Sequence, residues 1–338
     1  MRNFTRIMMA IVAITFFKFT SIYAQDDIDQ LLESSLSDAN KLIEGYIDPF
    51  MKGFGTGLGS GWYNTAKAHK TAGFDLTATV NLAYVPDKDM FYNINSSLEN
   101  TQLISPSEAP TIFGPDEEPT YQFTYTDSNT GETITDTFTG PPGLNLKDDI
   151  GFNAVPVPMI QLGIGIVKNT DLKIRWTPKI DMGDGTLKVI GFGVMHDVKQ
   201  HIPGIKNLPF DLSAFIGFTD ITTDVDLDDD TTVDNKGEFD INTWTFQGII
   251  SKKFSVLTLY GGLGFNRVRS ELKMLGEYEV GSGTETEIIE NPVDLSFKSG
   301  GPRLTAGMRI KLAILTLHAD YTLQQYKTLT VGVGFSVR

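Results

Sequence analysis

The 338-residue chain contains no cysteine. That excludes a lipid-modified cysteine, any disulfide and any cysteine-ligated metal, and it is compatible with an oxidising compartment. Histidine is scarce, with four residues in all. His196 and His201 are five apart, which suits neither one helical face nor one strand face, so they offer no metal-ligand pattern. Positive charge is also short: 28 Lys and Arg against 42 Asp and Glu give a formal net charge of −14. Such a chain argues against binding nucleic acid, whose phosphates demand cationic surface. Beyond the N-terminus no apolar run approaches the ~18 residues that a spanning helix needs, and the mean hydropathy is −0.09. Membrane proteins built from strands escape this exclusion, because half of each strand is polar.

What is present is a period-two pattern. Ile160, Leu162, Ile164 and Ile166 share one face of their segment, opposite Gln161, Gly163 and Gly165. At the C-terminus Leu329, Val331, Val333, Phe335 and Val337 oppose Thr330, Gly332, Gly334 and Ser336. Alternation over ~10 residues is the signature of a strand crossing a bilayer within a closed barrel. Strands are expected near 72–85, 158–167, 171–180, 187–195, 209–219, 239–250, 255–267, 303–311, 314–322 and 328–337. The gaps at 168–170, 251–254 and 312–313 are tight, and those at 220–238 and 268–302 are long. Placing the C-terminus on the periplasmic side puts all three tight turns inside and both long loops outside, as bacterial barrels require. Region 86–157 is expected to hold two to four strands in all, among them a hairpin around Tyr121–Phe138. The fold class is therefore all-β, a transmembrane antiparallel barrel of about 12–14 strands. A soluble periplasmic all-β protein is the alternative, and it would need polar residues where these faces read Ile, Leu, Val and Phe.

The N-terminus reads as a secretory signal over residues 1–24: Arg2 and Arg6, an apolar stretch from Ile7 to Phe17, then Ile22-Tyr23-Ala24 before Gln25. Its removal takes three cations and moves the net charge to −17. Residues 25–52 then carry apolar residues at helical spacing, and Pro49 and Gly53 are expected to end the helix. It either packs on its own domain or serves as a short plug or periplasmic cap for the barrel. From Gly53 through Gly55, Gly57 and Gly59 to Gly61 every second residue is glycine, followed by Trp62. Read as extended, one face lacks side chains and lets another backbone or a ligand approach. A phosphate-binding loop is excluded because no strand precedes and no helix follows. Segment 25–71 is thus expected to thread the lumen of a barrel spanning 72–338.

The lumen is expected to be lined by Gln161, Lys173, Arg175, Arg303, Arg309, His318 and Asp320, with both charge signs. His318 and Asp320 share one strand face, but nothing in the sequence aims a nucleophile or second carboxylate at them, so no catalysis is expected. Trp176, Phe192, Phe218, Trp244, Phe246, Phe265, Tyr321 and Phe335 are candidates for the lipid-facing aromatic belt. Asp224, Asp226, Asp228 and Asp230 begin like a calcium loop, but position six is Asp229 and position twelve Asn235, so only a weak Ca²⁺ site is expected there. No other cofactor is implied.

The signal peptide, the amphipathic helix, the Phe-Gly-Thr-Gly-Leu-Gly-Ser-Gly-Trp-Tyr-Asn stretch and the His-Asp-Val-Lys-Gln-His-Ile-Pro-Gly connection from His196 resemble an uncharacterised family of barrels from Bacteroidota outer membranes. In layout the chain is more remotely similar to long-chain fatty-acid transporter (FadL-type) barrels, with fourteen strands and an N-terminal plug. The asparagine-proline-alanine motif of those plugs is absent, and no ligand-contacting residue carries over. The resemblance implies residence in the outer membrane of a Gram-negative bacterium, contact with its lipid and handling by the barrel-assembly machinery. Passive uptake of a small hydrophobic molecule is one function it implies. The other is a non-transporting scaffold that docks secreted or surface proteins through the 196–209 connection and the outer loops.

Overall fold

A computed structural model describes residues 35–337, apart from 94, 96, 127–129, 182–184, 228–234 and 281–286. The signal segment and residues 25–34 lie outside the described residues, as do Asp228 and Asp230. The elements in chain order are α1 (Leu36–Leu58), β1 (Phe74–Tyr84), β2 (Phe91–Tyr92), β3 (Thr101–Ser105), β4 (Ala109–Pro110), β5 (Thr120–Thr126), β6 (Thr133–Thr139) and α2 (Leu146–Ile150). They continue as β7 (Ala154–Gly165), β8 (Thr170–Asp181), β9 (Gly185–Asp197), β10 (Asp211–Asp226), β11 (Lys236–Phe254), β12 (Leu257–Leu275), β13 (Glu277–Val280), β14 (Glu287–Glu290), β15 (Val293–Leu312), β16 (Leu315–Leu323) and β17 (Thr328–Val337).

Ten strands close one antiparallel barrel in the order β1-β17-β16-β15-β12-β11-β10-β9-β8-β7. Closure is made by β1, with Phe74 opposite Val337 on one side and Ile164 on the other. The expected 12–14 strands are thereby corrected to ten. Each wall strand expected from alternation is present, but the strands of region 86–157 pair only among themselves. β5 and β6 form the expected hairpin, which joins β3 in a separate three-stranded sheet. Their residues cap the barrel mouth through Phe113, Tyr121, Phe123 and Phe138, buried in the same cluster as α1. The fourteen-strand wall implied by the fatty-acid transporter likeness is absent with them.

The wall is apolar outside. Leu263, Phe265, Leu304, Met308, Phe335, Val331 and Trp176 are all about half exposed or more. On β12 this face runs from Leu257 to Phe265, a height of about 21 Å at the usual rise and tilt, close to the ~25 Å apolar band of outer-membrane barrels. β11, β12 and β15 are 19, 19 and 20 residues long, so they continue well past that band at the long-loop end. There the polarity inverts. Arg267, Arg269 and Lys298 face out, while Val268, Leu272, Val293 and Phe297 are buried inside against α1.

α1 begins at that same end. Ser35 caps it by accepting from the Asp38 backbone N–H, and the helix runs through Pro49 to Leu58. The expectation that Pro49 and Gly53 end the helix, and that the glycine run is extended, is corrected. A helix with full side chains is ~10–12 Å wide. Glycines four apart thin this one on two sides: a Cβ at Gly53 or Gly57 would meet Val155 or Val157 within 2.6 Å. A Cβ at Gly55 would meet Val268 at 2.2 Å, and one at Gly59 would meet Thr243 and Thr245 at 3.0 Å.

Candidate functional site

The lumen is filled by residues 36–72, which are bonded to the wall at every depth. In the outer half the contact is apolar: Leu42, Ile43, Met51, Phe54 and Leu58 pack against Val155, Val157, Val189, Ile221, Ile241 and Val268.

At mid-depth α1 ends, and four backbone carbonyls there lack helical partners. α1 has no basic residue in its last turn. The wall supplies the cap. Arg175 donates from Nη1 to the Leu58 carbonyl and from Nη2 to that of Ser60, both at 2.6 Å, and from Nε to Gln161 Oε1 at 3.2 Å. Arg303 donates to the Gly59 carbonyl at 2.7 Å and to Ser60 Oγ at 3.2 Å. Thr243 and Thr245 donate to the Gly55 and Gly59 carbonyls. Two buried guanidinium groups thus sit at the negative end of the helix dipole, where cations are favoured. The Gly61 backbone takes φ +73°, a left-handed turn that glycine accepts without strain, and leads the chain downward.

Trp62 lies under the Arg175 guanidinium, 3.6 Å from it, and packs on Phe215 with ring centroids 5.4 Å apart. Gly193 and Gly217 of the wall leave the space it occupies: a Cβ at either would meet its ring at about 3 Å. Tyr63, Phe215 and Tyr260 complete an aromatic layer. Below it the Ala66 carbonyl accepts from Ser213 and its N–H donates to Ser251 Oγ. At the short-turn end His69 is held between two strands: its Nδ1 is 2.9 Å from Asp171 Oδ2 and its Nε2 is 3.3 Å from Asp75 Oδ2.

Arg303, Arg309, His318 and Asp320 are all buried. His318 and Asp320 form no mutual pair. Asp320 accepts from Tyr260 at 2.9 Å, His318 stands opposite Arg309 in the register, and His318 Nδ1 lacks a hydrogen-bond partner. Asp224 and Asp226 close the outer end of β10, where Asp224 accepts from Thr186 at 3.1 Å. No cluster of three or more metal-ligating side chains forms among the described residues.

The fifth-residue spacing of His196 and His201 proves misleading. His196 ends β9, a 3-10 turn over Lys199–His201 reverses the chain, and the two Nε2 atoms lie 2.9 Å apart. Ring centroids 5.2 Å apart at that separation place the rings end to end, the geometry of an N–H···N hydrogen bond. Pattern reading by helix or strand periodicity has no template for such a turn.

Above the plug, a cavity of about 460 Å³ opens between α1 and the cap. Its lining mixes charged side chains, Lys41, Glu44, Asp48, Lys52 and Asp89, with Pro49, Phe91 and Tyr92. Asp38 ties the cap down beside it, accepting from the backbone N–H of Glu99 and of Asn100, both at 2.9 Å. Burial pushes the Asp38 carboxyl up, but those two N–H groups and the Lys41 ammonium outweigh it and hold it below the usual carboxylate range.

Among solved structures the chain is similar to outer-membrane proteins at low identity. The attachment invasion locus protein Ail of Yersinia pestis shares 7% identity over 79% of this chain and 98% of its own, with a TM-score of 0.26. The translocator domain of the autotransporter NalP from Neisseria meningitidis shares 9% identity over 88% of this chain and 98% of its own, with a TM-score of 0.31. The outer membrane channel DcaP of Acinetobacter baumannii shares 8% identity over 80% of this chain and 99% of its own, with a TM-score of 0.16. No curated protein matches the sequence. A family model does match, over residues 1–337, and the chain belongs to the family of unknown function DUF6588.

Proposed function

We propose that this protein is an occluded barrel of a Gram-negative outer membrane, a scaffold that docks secreted or surface proteins. The observation that carries this reading is the lumen filled by the chain's own helix, with its C-terminus capped by Arg175 and Arg303 from the wall. A conduit for a small hydrophobic molecule would have an apolar pocket beside the plug. The cavity at the mouth is lined instead by five charged side chains, Lys41, Glu44, Asp48, Lys52 and Asp89. The outward apolar band supports the membrane placement. The folded cap and the 198–210 connection, with exposed Ile202 and Leu208, are the surfaces available to partners. No reaction is part of this proposal.

A disulfide clamp tests it. An ideal Cβ at residue 55 lies 3.3 Å from the Val268 Cβ, close to the 3.5–4.5 Å of disulfides. In a chain with no cysteine, Gly55→Cys with Val268→Cys gives one addressable bridge between plug and wall. Reconstituted wild type is expected to pass neither ions nor a fluorescent fatty acid, oxidised or reduced. Flux through wild type and through the reduced double variant, abolished by oxidation in the double variant alone, would replace the scaffold reading with uptake.

A further inference from the structure

The inversion of wall polarity at the outer boundary of the apolar band creates a surface that the closed lumen does not use. Across β10, β11, β12 and β15 the outward residues form rows fixed by register. The last apolar row is Ile216, Phe246, Phe265 and Pro302. Next comes Phe218, Trp244, Arg267 and Gly300, then Asp220, Asn242, Arg269 and Lys298. Arg269 and Lys298 are thus direct cross-strand partners of like charge, an arrangement that destabilises a sheet unless an anion joins it.

None of the three cations has an anion among the described residues. Arg267, Arg269 and Lys298 are exposed and carry no ion pair or hydrogen bond there. The next row out holds Asp240 opposite Glu271, and there Glu271 is already paired with Lys273 of the row beyond at 3.3 Å. In a chain with an excess of acid, three unpaired cations on adjoining strands are a local departure. Their height is informative. Each row adds about 5 Å above the apolar band, so the two cationic rows stand about 5 and 10 Å above Phe265. The headgroup layer is about 5–8 Å thick on each side of a bilayer. Long basic side chains reach back across such a distance, and Trp244 beside Arg267 marks the interface itself.

We propose that Arg267, Arg269 and Lys298 bind the phosphate of an outer-leaflet lipid headgroup. The two guanidinium forks suit bidentate contact with phosphate oxygens, and Lys298 adds a point charge. Gly300, opposite Arg267, leaves the space beside that fork without a side chain. The inference rests on the membrane placement proposed above and is independent of what the barrel docks.

The test uses the full chain, purified and reconstituted, with phosphatidic acid as the phosphate-bearing probe and diacylglycerol as the same lipid without it. Insertion into vesicles is scored first, since failure there removes the membrane placement itself. Bound lipid is then counted by native mass spectrometry. Wild type is expected to retain phosphatidic acid over diacylglycerol. Each cation removed should weaken binding about fivefold, so Arg267→Gln with Arg269→Gln and Lys298→Gln should lose about 100-fold. Lys252→Gln with Lys253→Gln, at the opposite rim, should change nothing. Arg269→Gln alone covers the case of a triple variant that fails to fold: it relieves the like-charge pair, so it should raise the unfolding midpoint while lowering lipid retention. Undiminished binding by the triple or single variant overturns the proposal, as does an equal loss at the opposite rim. Displacement by inorganic phosphate at the concentration of the lipid would overturn it too, because the surface would then be a bare anion site.

Discussion

At the scale of single residues, the glycines of α1 are steric requirements rather than flexible joints. Gly55 shows this best. An added Cβ would stand 2.2 Å from Val268 Cγ1, and valine in a strand has little rotamer freedom with which to retreat. Alanine would gain about 1 kcal/mol in helix propensity. Overpacking of this kind costs about 1–3 kcal/mol, so Gly55→Ala should lower the denaturation midpoint despite the better helix former. Val268→Ala in the same chain removes the clashing methyl, and a double-mutant cycle should show positive coupling between the two. Asp38 is the second such residue. Its carboxyl is held below the ordinary range, so the stability it lends the cap is full above about pH 4, where the unfolded group ionises, and is lost as pH falls through the lower folded value. Wild type and Asp38→Asn should therefore differ at pH 7 in resistance of the 85–153 cap to proteolysis, and converge as the pH falls below the lowered folded value. Persistence of the difference in acid would show that the amide's altered shape, not the charge, is responsible.

At the scale of elements, the wall strands were legible because lipid on one side and polar groups on the other impose alternation. The reading stopped where that contrast stopped. β12 was expected to end near 267 and reaches Leu275, and β15 was expected from 303 and begins at Val293. Above the bilayer the outside is wet and the inside is packed on α1, so the same period carries the opposite polarity. The glycine run misled for a related reason: period two in one residue type mimics a strand, yet Gly53 with Gly57 and Gly55 with Gly59 are also helical neighbours four apart. The arginine cap was invisible, since Arg175 and Arg303 lie more than 100 residues beyond the carbonyls they serve. It is nevertheless expected to help hold the plug in place. Arg175→Met leaves the Leu58 and Ser60 carbonyls without that donor, a cost of about 1–3 kcal/mol for each buried group left unsatisfied. Single-channel recording should be silent for wild type and show opening events for the combination of Arg175→Met with Arg303→Met. Silence from the double variant would mean that the apolar contacts above mid-depth hold the helix without the cap.

At the scale of the whole molecule, the direction of the plug has a consequence for topology. The start of α1 is bound to the long-loop end: Asn40 donates to the Pro292 carbonyl, Tyr46 donates to that of Pro142, and Asp38 holds Glu99 and Asn100. The chain then descends to the short-turn end, where the Ala72 N–H bonds the Gly165 carbonyl and β1 begins. Short turns face the periplasm in bacterial barrels, so the start of α1 at Ser35 is expected on the cell-surface side. A flexible epitope inserted immediately before Ser35 should be labelled by antibody on intact cells, as should one at the exposed Lys88 of the cap. An epitope replacing residues 313–314, in the tight turn between β15 and β16, should be labelled only after permeabilisation. Protection of the first epitope alongside labelling of the second would place α1 the other way up. The direction also bears on assembly. With Val155, Val157 and Val268 pressed onto glycine faces, a closed ten-strand wall leaves no annulus through which the helix can be threaded later. The wall has to close around α1, so a barrel folded without residues 36–61 should stay open to ions when that segment is added back as a separate peptide.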